Sequence, residues 1–313
     1  MTIEILYNYK PNLFPDGSAV ALGFFDGVHL GHREIIKHAV DFGQKNNLKS
    51  IVSTFINHPH AEITGQSPKL LTTFEDRVGL ISTLKIDSIL ALEFNSKLRH
   101  MNAQDYFTKI LHESLNAKFI SIGYDHKFGF NQEGTPGKLI EWGKKFGIEI
   151  HVTPPININD EPVSSTRIRK NILAGKVKSA SNLLGRFYSI NGTVTQGLRR
   201  GTELGFPTAN LMVQSDLITP STGVYVGKCT LLKDLKQYPC VINIGTCPTF
   251  RDNNNEVKIE THLLNFETRN LYQEKISIDF IERLRDEVKF ASKEELITQI
   301  KIDCENARKI LHL

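Results

Sequence analysis

Five short apolar runs, at residues 18–24, 50–56, 88–93, 118–122 and 148–152, constrain the first half of this chain more than any other feature. Each is too short for a buried helix, and all but the last, where residues 148–152 alternate, are near-continuous rather than half polar. Between them lie segments with helical spacing. Ile35, Ile36, Ala39 and Val40 share one face of residues 32–46, and Tyr106, Phe107, Ile110, Leu111 and Leu115 share one face of residues 102–117. Continuous apolar strands alternating with amphipathic helices require a parallel sheet covered on both sides, because crossover helices must lie against both faces. The predicted first domain is therefore a Rossmann-like α/β domain built on a parallel sheet.

The pattern changes after residue 187. From 188 to 280 the runs are short, β-rich and punctuated by Gly, Pro and Asn, which predicts a small antiparallel β-barrel. A C-terminal helix is expected over residues 292–311, with Leu296, Ile297, Ile300, Cys304 and Ala307 along one side and Ser292 and Glu295 as a capping box. At 313 residues the chain has room for two cores, and the expected domains are residues 1–184 and 185–313. A net charge of +4 suits anionic small molecules, and no Lys/Arg run has the length of a nucleic-acid-binding segment. There is no leader pattern and no apolar run of the roughly 20 residues a membrane span needs, so no membrane partner is expected. The four cysteines form no C-x-x-C pair, and reduced thiols in the cytoplasm are the expectation.

Two segments carry chemistry. In "VALGFFDGVHLGH", residues 20–32, the first apolar run delivers Gly23, Phe24, Phe25, Asp26 and Gly27 to the carboxyl edge of the sheet, where such folds bind ligands. Gly31 and His32 then open a helix whose free N–H groups and positive dipole end attract an anion. His29 and His32 can donate hydrogen bonds to phosphate oxygens as charge builds. The second segment is "NGTVTQGLRRGTELGFPTANL", residues 191–211. Gly192, Gly197, Gly201 and Gly205 supply positions where a positive φ costs little, as a flap over phosphates requires. Thr208 and Asn210 share a face if the segment is extended, and both offer hard oxygen atoms to Mg²⁺ or phosphate. A hairpin with glycine turns accounts for this segment equally well when it is taken alone, and no Walker A lysine is present.

His29-Leu30-Gly31-His32 resembles the H-x-G-H signature of the nucleotidyltransferase superfamily, and "VSSTRIR", residues 163–169, resembles its second element. The resemblance implies ATP contacts from Gly23, Phe25, Asp26, Gly31, Ser164, Ser165 and Thr166, with Arg169, after Arg167, gripping phosphate oxygens. "STFINHPH" and "IGYDHKFGF" resemble segments of the prokaryotic bifunctional riboflavin kinase/FAD synthetases, where they line the flavin side. Phe55 and Phe128 are then implied to stack on the flavin, with Asp125 on its polar edge.

Further on, "GTELGFPTAN", "GVYVG", "NIGTCPTF", "IETHLLNF" and "LRDEVKF" follow in the order seen in riboflavin kinases. That order implies ATP contacts from Gly201, Gly205, Pro207, Thr208 and Asn210, Mg²⁺ ligation by Thr208 and Asn210, and flavin contacts from Arg285 and Glu287. It makes Glu260 the base that accepts the proton of a primary alcohol attacking the γ-phosphorus. The implied activity is twofold. The barrel converts riboflavin and ATP to FMN and ADP, and the first domain joins FMN to the AMP part of ATP, with His29, His32 and Arg169 as its catalytic set. The implied partners are these small molecules, handled by a monomer or weak homo-oligomer. Four positions depart from the family pattern: Asn57 for Pro, His126 for Phe, Asn265 for Asp and Gln273 for Gly. The residues leave two alternatives, a chain with one working half and a flavin- or nucleotide-binding regulator without turnover.

Overall fold

The computed structural model describes residues 3–196, 201, 204–247, 256–267 and 269–313, in two compact units, Met1–Ser165 and Thr166–Leu313. Gly197 and the end of the "NIGTCPTF" segment lie outside the described residues. The first unit is built on six parallel strands, β1 (Glu4–Leu6), β2 (Ser18–Leu22), β3 (Lys49–Phe55), β4 (Ser88–Leu92), β5 (Ala117–Gly123) and β6 (Glu149–Thr153), in the order β1-β4-β3-β2-β5-β6. Every residue of β2 and β4 is buried. Successive residues feed opposite cores, with Val20, Leu22, Ile51 and Leu90 on one face and Ala19, Ala21, Val52 and Ile89 on the other. This is why the runs lack polar alternation, and each fully buried Ile or Leu contributes about 1.5–3 kcal/mol. β1 is an addition to the sequence reading: only three residues long and incompletely buried, it carries too little signal to stand out.

The helices of this unit are α1 (Leu30–Asn46), α2 (Pro59–Thr64), α3 (Phe74–Ser82), α4 (Ser96–Arg99), α5 (Ala103–Asp105) and α6 (Pro136–Phe146). α1 buries Ile35, Ile36, Ala39 and Val40, as its spacing predicts. Residues Tyr106–Ser114 are wound as a π-helix, yet Tyr106, Phe107, Ile110, Leu111 and Leu115 are all buried. A short hairpin, β7 (Asn157–Ile158) and β8 (Glu161–Pro162), follows the sheet. The strand order turns about β2, with β3 and β4 on one side and β5 and β6 on the other. That turning point opens a crevice beyond the carboxyl ends of β2 and β5.

Helix α7 (Ser165–Leu173) begins at the division between the units, and α8 (Val177–Leu184) packs on two strands of the second. That unit is a closed antiparallel barrel of β9 (Tyr188–Thr195), β10 (Ala209–Met212), β11 (Gly223–Leu231), β12 (Lys236–Cys247), β13 (Glu256–Leu263) and β14 (Lys275–Arg285), in the order β10-β13-β12-β11-β14-β9. Ile242, Ile244, Ile259 and Thr261 fill its interior, so the residues alternating with them face outward.

The C-terminal helix, α9 (Lys293–Ile310), covers part of that outer face, packing Cys304 and Ala307 on Val224, Val226, Val241 and Leu264. Ser292 caps it, its Oγ accepting from Glu295 N at 3.2 Å. The Glu295 carboxylate accepts from Ala291 N at 3.0 Å, one residue before the usual partner in a capping box. Asp303 is buried within the stripe that the spacing marks as apolar.

Candidate active sites

The loop between β2 and α1 is tightly wound. Phe25, Gly27 and Val28 take φ of +59°, +80° and +40°, a region that costs a β-branched residue about 1–3 kcal/mol and persists only where surroundings enforce it. They do so here. Phe25 is fully buried and its ring lies beneath Gly23, where an added Cβ would stand 2.9 Å from Phe25 Cζ. The Asp26 carboxylate accepts from Leu71 N at 3.0 Å and from Thr72 N and Thr72 Oγ1 at 3.1 Å, and Thr72 Oγ1 accepts from Gly27 N at 3.1 Å. Asp26 therefore fastens this loop to residues 71–72, an attachment that no local motif announces.

The loop ends at His29, the N-cap of α1. Its Nδ1 accepts from His32 N at 3.3 Å, so the ring proton sits on Nε2 and that nitrogen is a donor. The two imidazoles stack at 3.5 Å with a 19° tilt, and His32 meets Phe25 edge-on at 5.3 Å. Gly31 permits the stack, since a Cβ there would lie 3.3 Å from His29 Cε1. No acidic side chain occupies the first turn of this 17-residue helix, so none of its own first-turn residues offsets the positive end. Ser165 Oγ donates to the Asp26 carbonyl at 3.0 Å, which joins the start of the "SSTRIR" segment to the loop. Thr166, Arg167 and Arg169 continue along α7 and belong to the second unit.

Sheet order sets the ends of β3 and β5 on either side of Gly23. Phe55, at the end of β3, meets Phe94 edge-on at 5.1 Å. Asn57 clamps that ring's backbone, donating from Nδ2 to Phe94 O at 3.0 Å and accepting from Phe94 N at 2.8 Å, two bonds a proline cannot make. Beyond β5, Asp125 is exposed beside Gly123. His126 stacks on Phe128 at 5.8 Å and 19°, and burial pushes its pKa down to about 4. It is thus a neutral flat ring where the family has Phe. Arg77, which the sequence reading passed over, is fully buried and lies 4.3 Å over Phe24, with Nη2 donating to the carbonyls of Phe55 and Ile56.

In the barrel, register does the assembling. Asn210 on β10 lies opposite Glu260 on β13, and Glu260 lies opposite Asn243 on β12. Opposed residues share a face, with Cβ atoms about 5 Å apart. Thr208, Asn210, Asn243 and Glu260 line a cavity of about 440 Å³ on the outer face of the barrel, closed by Leu296, Ile300 and Asp303 of α9. Arg285 and Glu287 line it too. Asp303 grips Arg285 with a bidentate pair, Nη2 to Oδ2 at 2.8 Å and Nε at 3.1 Å, and Gln299 adds a bond at 3.0 Å. Glu287 rests on Gly245, where a Cβ would come within 2.6 Å of its Oε1.

A second cavity, of about 850 Å³, is lined by Gly205, Pro207 and Thr208, with Phe266, Tyr272 and Arg308 among its walls. Thr208 and His262 line both. Of the glycines assigned to a flap, Gly205 takes φ +85°, whereas Gly192 and Gly201 serve close approach: a Cβ would fall 2.4 Å from Met212 O and from Phe206 O respectively. Asn243, His262 and Asp303 were not singled out from sequence. Two-residue alternation from Glu260 would have found His262.

Residues 12–167 match the family model described as FAD synthetase, and residues 184–311 match that of riboflavin kinase. The bifunctional riboflavin kinase/FMN adenylyltransferase of Buchnera aphidicola subsp. Schizaphis graminum is 37% identical over 298 residues, 95% of each chain. The enzyme of that name from Haemophilus influenzae is 32% identical over 301 residues, 96% of each chain. A crystal structure of a Streptococcus pneumoniae protein, solved under the name macrolide-efflux protein, superposes with a TM-score of 0.88 at 29% identity, covering 98% of this chain and 99% of that one. Among the described residues of this chain no helix is long and apolar enough to cross a membrane. The chain belongs to the bifunctional riboflavin kinase/FMN adenylyltransferases, enzymes that use ATP first to phosphorylate riboflavin and then to adenylylate the FMN so formed.

Proposed function

We propose that each reaction uses one of the sites built above, with the working division at residues 184/185, where α8 ends. The observation that carries the kinase assignment is the row Asn210–Glu260–Asn243 along one cavity wall. Riboflavin occupies the 440 Å³ cavity, between Arg285, Glu287 and the face of α9, and ATP occupies the 850 Å³ cavity; both volumes fall in the range of ligand sites. Its terminal hydroxyl attacks the γ-phosphorus at the wall the cavities share, and the Glu260 carboxylate takes the proton. The Thr208 hydroxyl, on that wall, and the Asn210 side-chain amide oxygen, in the smaller cavity beside it, are hard oxygen donors and fit Mg²⁺. When bound, the ion offsets charge on the β- and γ-phosphates.

In the other half the nucleophile is the FMN phosphate, an anion at neutral pH, so no base is required. The start of α1 with Gly31, His29 Nε2–H and His32 receives the inner phosphates of ATP. Ser164 and Ser165 join them in the first unit, and the family resemblance is what adds Thr166 and Arg169 to the proposed set. Phe55, Phe128 and Asp125 receive the flavin. These small molecules are the proposed partners, handled by a monomer or weak homo-oligomer. Cys229, Cys240 and Cys304 are free thiols, as the cytoplasm would keep them.

The test is Glu260→Gln, assayed by chromatography of products. FMN formation from riboflavin should fall by about 10²–10⁴-fold, while FAD formation from supplied FMN persists. Equal loss of both activities would overturn the assignment of separate sites.

A further inference from the structure

His262 stands two residues beyond Glu260 on the same face of β13 and lines both cavities. The β10–β13 ladder runs over Ala209↔Thr261, Asn210↔Glu260 and Leu211↔Ile259, and stops there. Thr208 would pair with His262 next, so residues 206–208 leave the ladder just where they form the wall between the cavities. A side chain replaces the missing main-chain bond. His262 Nδ1 lies 2.8 Å from the Pro207 carbonyl oxygen, and its ring meets Phe206 edge-on at 5.6 Å. A carbonyl only accepts, so Nδ1 carries the proton and donates it. Pro207 has no N–H of its own to fix the segment. On the other side, Phe206 N donates to Gly201 O at 2.7 Å, which anchors Phe206 but not Thr208.

We propose that His262 is a positioning residue of the kinase half, which holds Pro207 so that the Thr208 hydroxyl stays on the shared wall where triphosphate and Mg²⁺ meet. The proposal rests on the assignment of the larger cavity to ATP. It concerns nucleotide binding through Thr208, not proton transfer.

The experiment compares His262→Ala, His262→Asn and His262→Gln in the full chain, with FMN formation measured against Mg-ATP and against riboflavin. Asn places an amide N–H near the position of Nδ1, whereas the Gln amide reaches past it. Losing one neutral hydrogen bond should raise the KM for Mg-ATP about 3- to 10-fold in the Ala and Gln variants. The KM for riboflavin and FAD formation from supplied FMN should stay within about 2-fold, and the Asn variant should recover most of the ATP affinity. Asn as impaired as Ala, a KM for riboflavin rising in step, or an unmoved ATP dependence would each overturn the proposal. If the Ala variant fails to fold, the contrast between Asn and Gln decides alone. Thr208→Ala serves as control: if it leaves the KM for ATP untouched, the nucleotide assignment has failed, and not the role of His262.

Discussion

Replacing Asp26 tests whether the β2–α1 loop, the proposed adenylyl-transfer site, is held from outside itself. Its carboxylate satisfies the backbone N–H groups of Leu71 and Thr72, both nearly sealed from solvent at 1% and 4% exposure. Asp26→Ala leaves two buried donors unpaired at about 1–3 kcal/mol each, an expected loss of about 2–6 kcal/mol. It also removes a negative charge that acts on Arg77, which burial already pushes down to about 10. Asp26→Asn keeps one oxygen facing the two N–H groups but loses that charge, so an intermediate loss is expected. Urea unfolding followed by circular dichroism should rank wild type above Asn and Asn above Ala. Below the unfolding transition, FAD formation from FMN should fall, because the strained Phe25 and Val28 conformations lose their restraint, while FMN formation from riboflavin should not. An Ala variant within about 0.5 kcal/mol of wild type, the range of an ordinary surface change, would refute the reasoning.

Two further outcomes follow from buried charge. His126 is held at about 4 when folded against 6.5 when free, so the unfolded chain takes up its proton first as pH falls. Its contribution is complete above pH 6.5 and is lost progressively toward pH 4, at most about 3 kcal/mol; His126→Phe should flatten that part of a stability–pH curve, and an unchanged slope would count against it. Asp303→Ala removes the partner of the partly exposed Arg285, and the cost should stay below the roughly 3 kcal/mol of breaking a fully buried pair. The KM for riboflavin should rise with it while the KM for FMN in adenylyl transfer holds; an unmoved KM for riboflavin would detach Arg285 from the flavin site.

What the sequence could disclose was whatever depends on neighbours along the chain. The central apolar runs told of a doubly covered sheet because burial on both faces leaves little polar alternation to see, whereas the edge strand β6 is only partly buried. The start of α1 was legible because cap, glycine and histidines all fall within four residues. The work of Asp26 on residues 71–72 was not legible, since its partners lie 45 residues away and an aspartate after "GFF" looks alike whether it faces a nucleotide or a backbone. Asn243 stayed hidden for the same reason: only the β12–β13 register sets it against Glu260. The π-helical winding of Tyr106–Ser114 left no mark, because the same apolar residues are buried by either winding. Asn57 and His126, the departures on the flavin side, prove to be substitutions with structural employment, one clamping Phe94 and the other stacking on Phe128.

The two sites differ because their nucleophiles differ. A phosphate that is already anionic needs only a place where negative charge is welcome, and backbone N–H groups at a helix end supply one without any proton to manage. An alcohol must shed a proton as it attacks, so its site needs a carboxylate fixed in direction. A strand fixes direction better than a loop, since the ladder on both sides of Glu260 holds its backbone and the alternation of the strand aims its side chain outward. The same ladder ends one residue short of Thr208, so the segment proposed to meet the triphosphate is tied to it by the His262 side chain instead. On the proposed assignment, the base stands on a rigid strand and the grip on the triphosphate falls to a short segment held at single points.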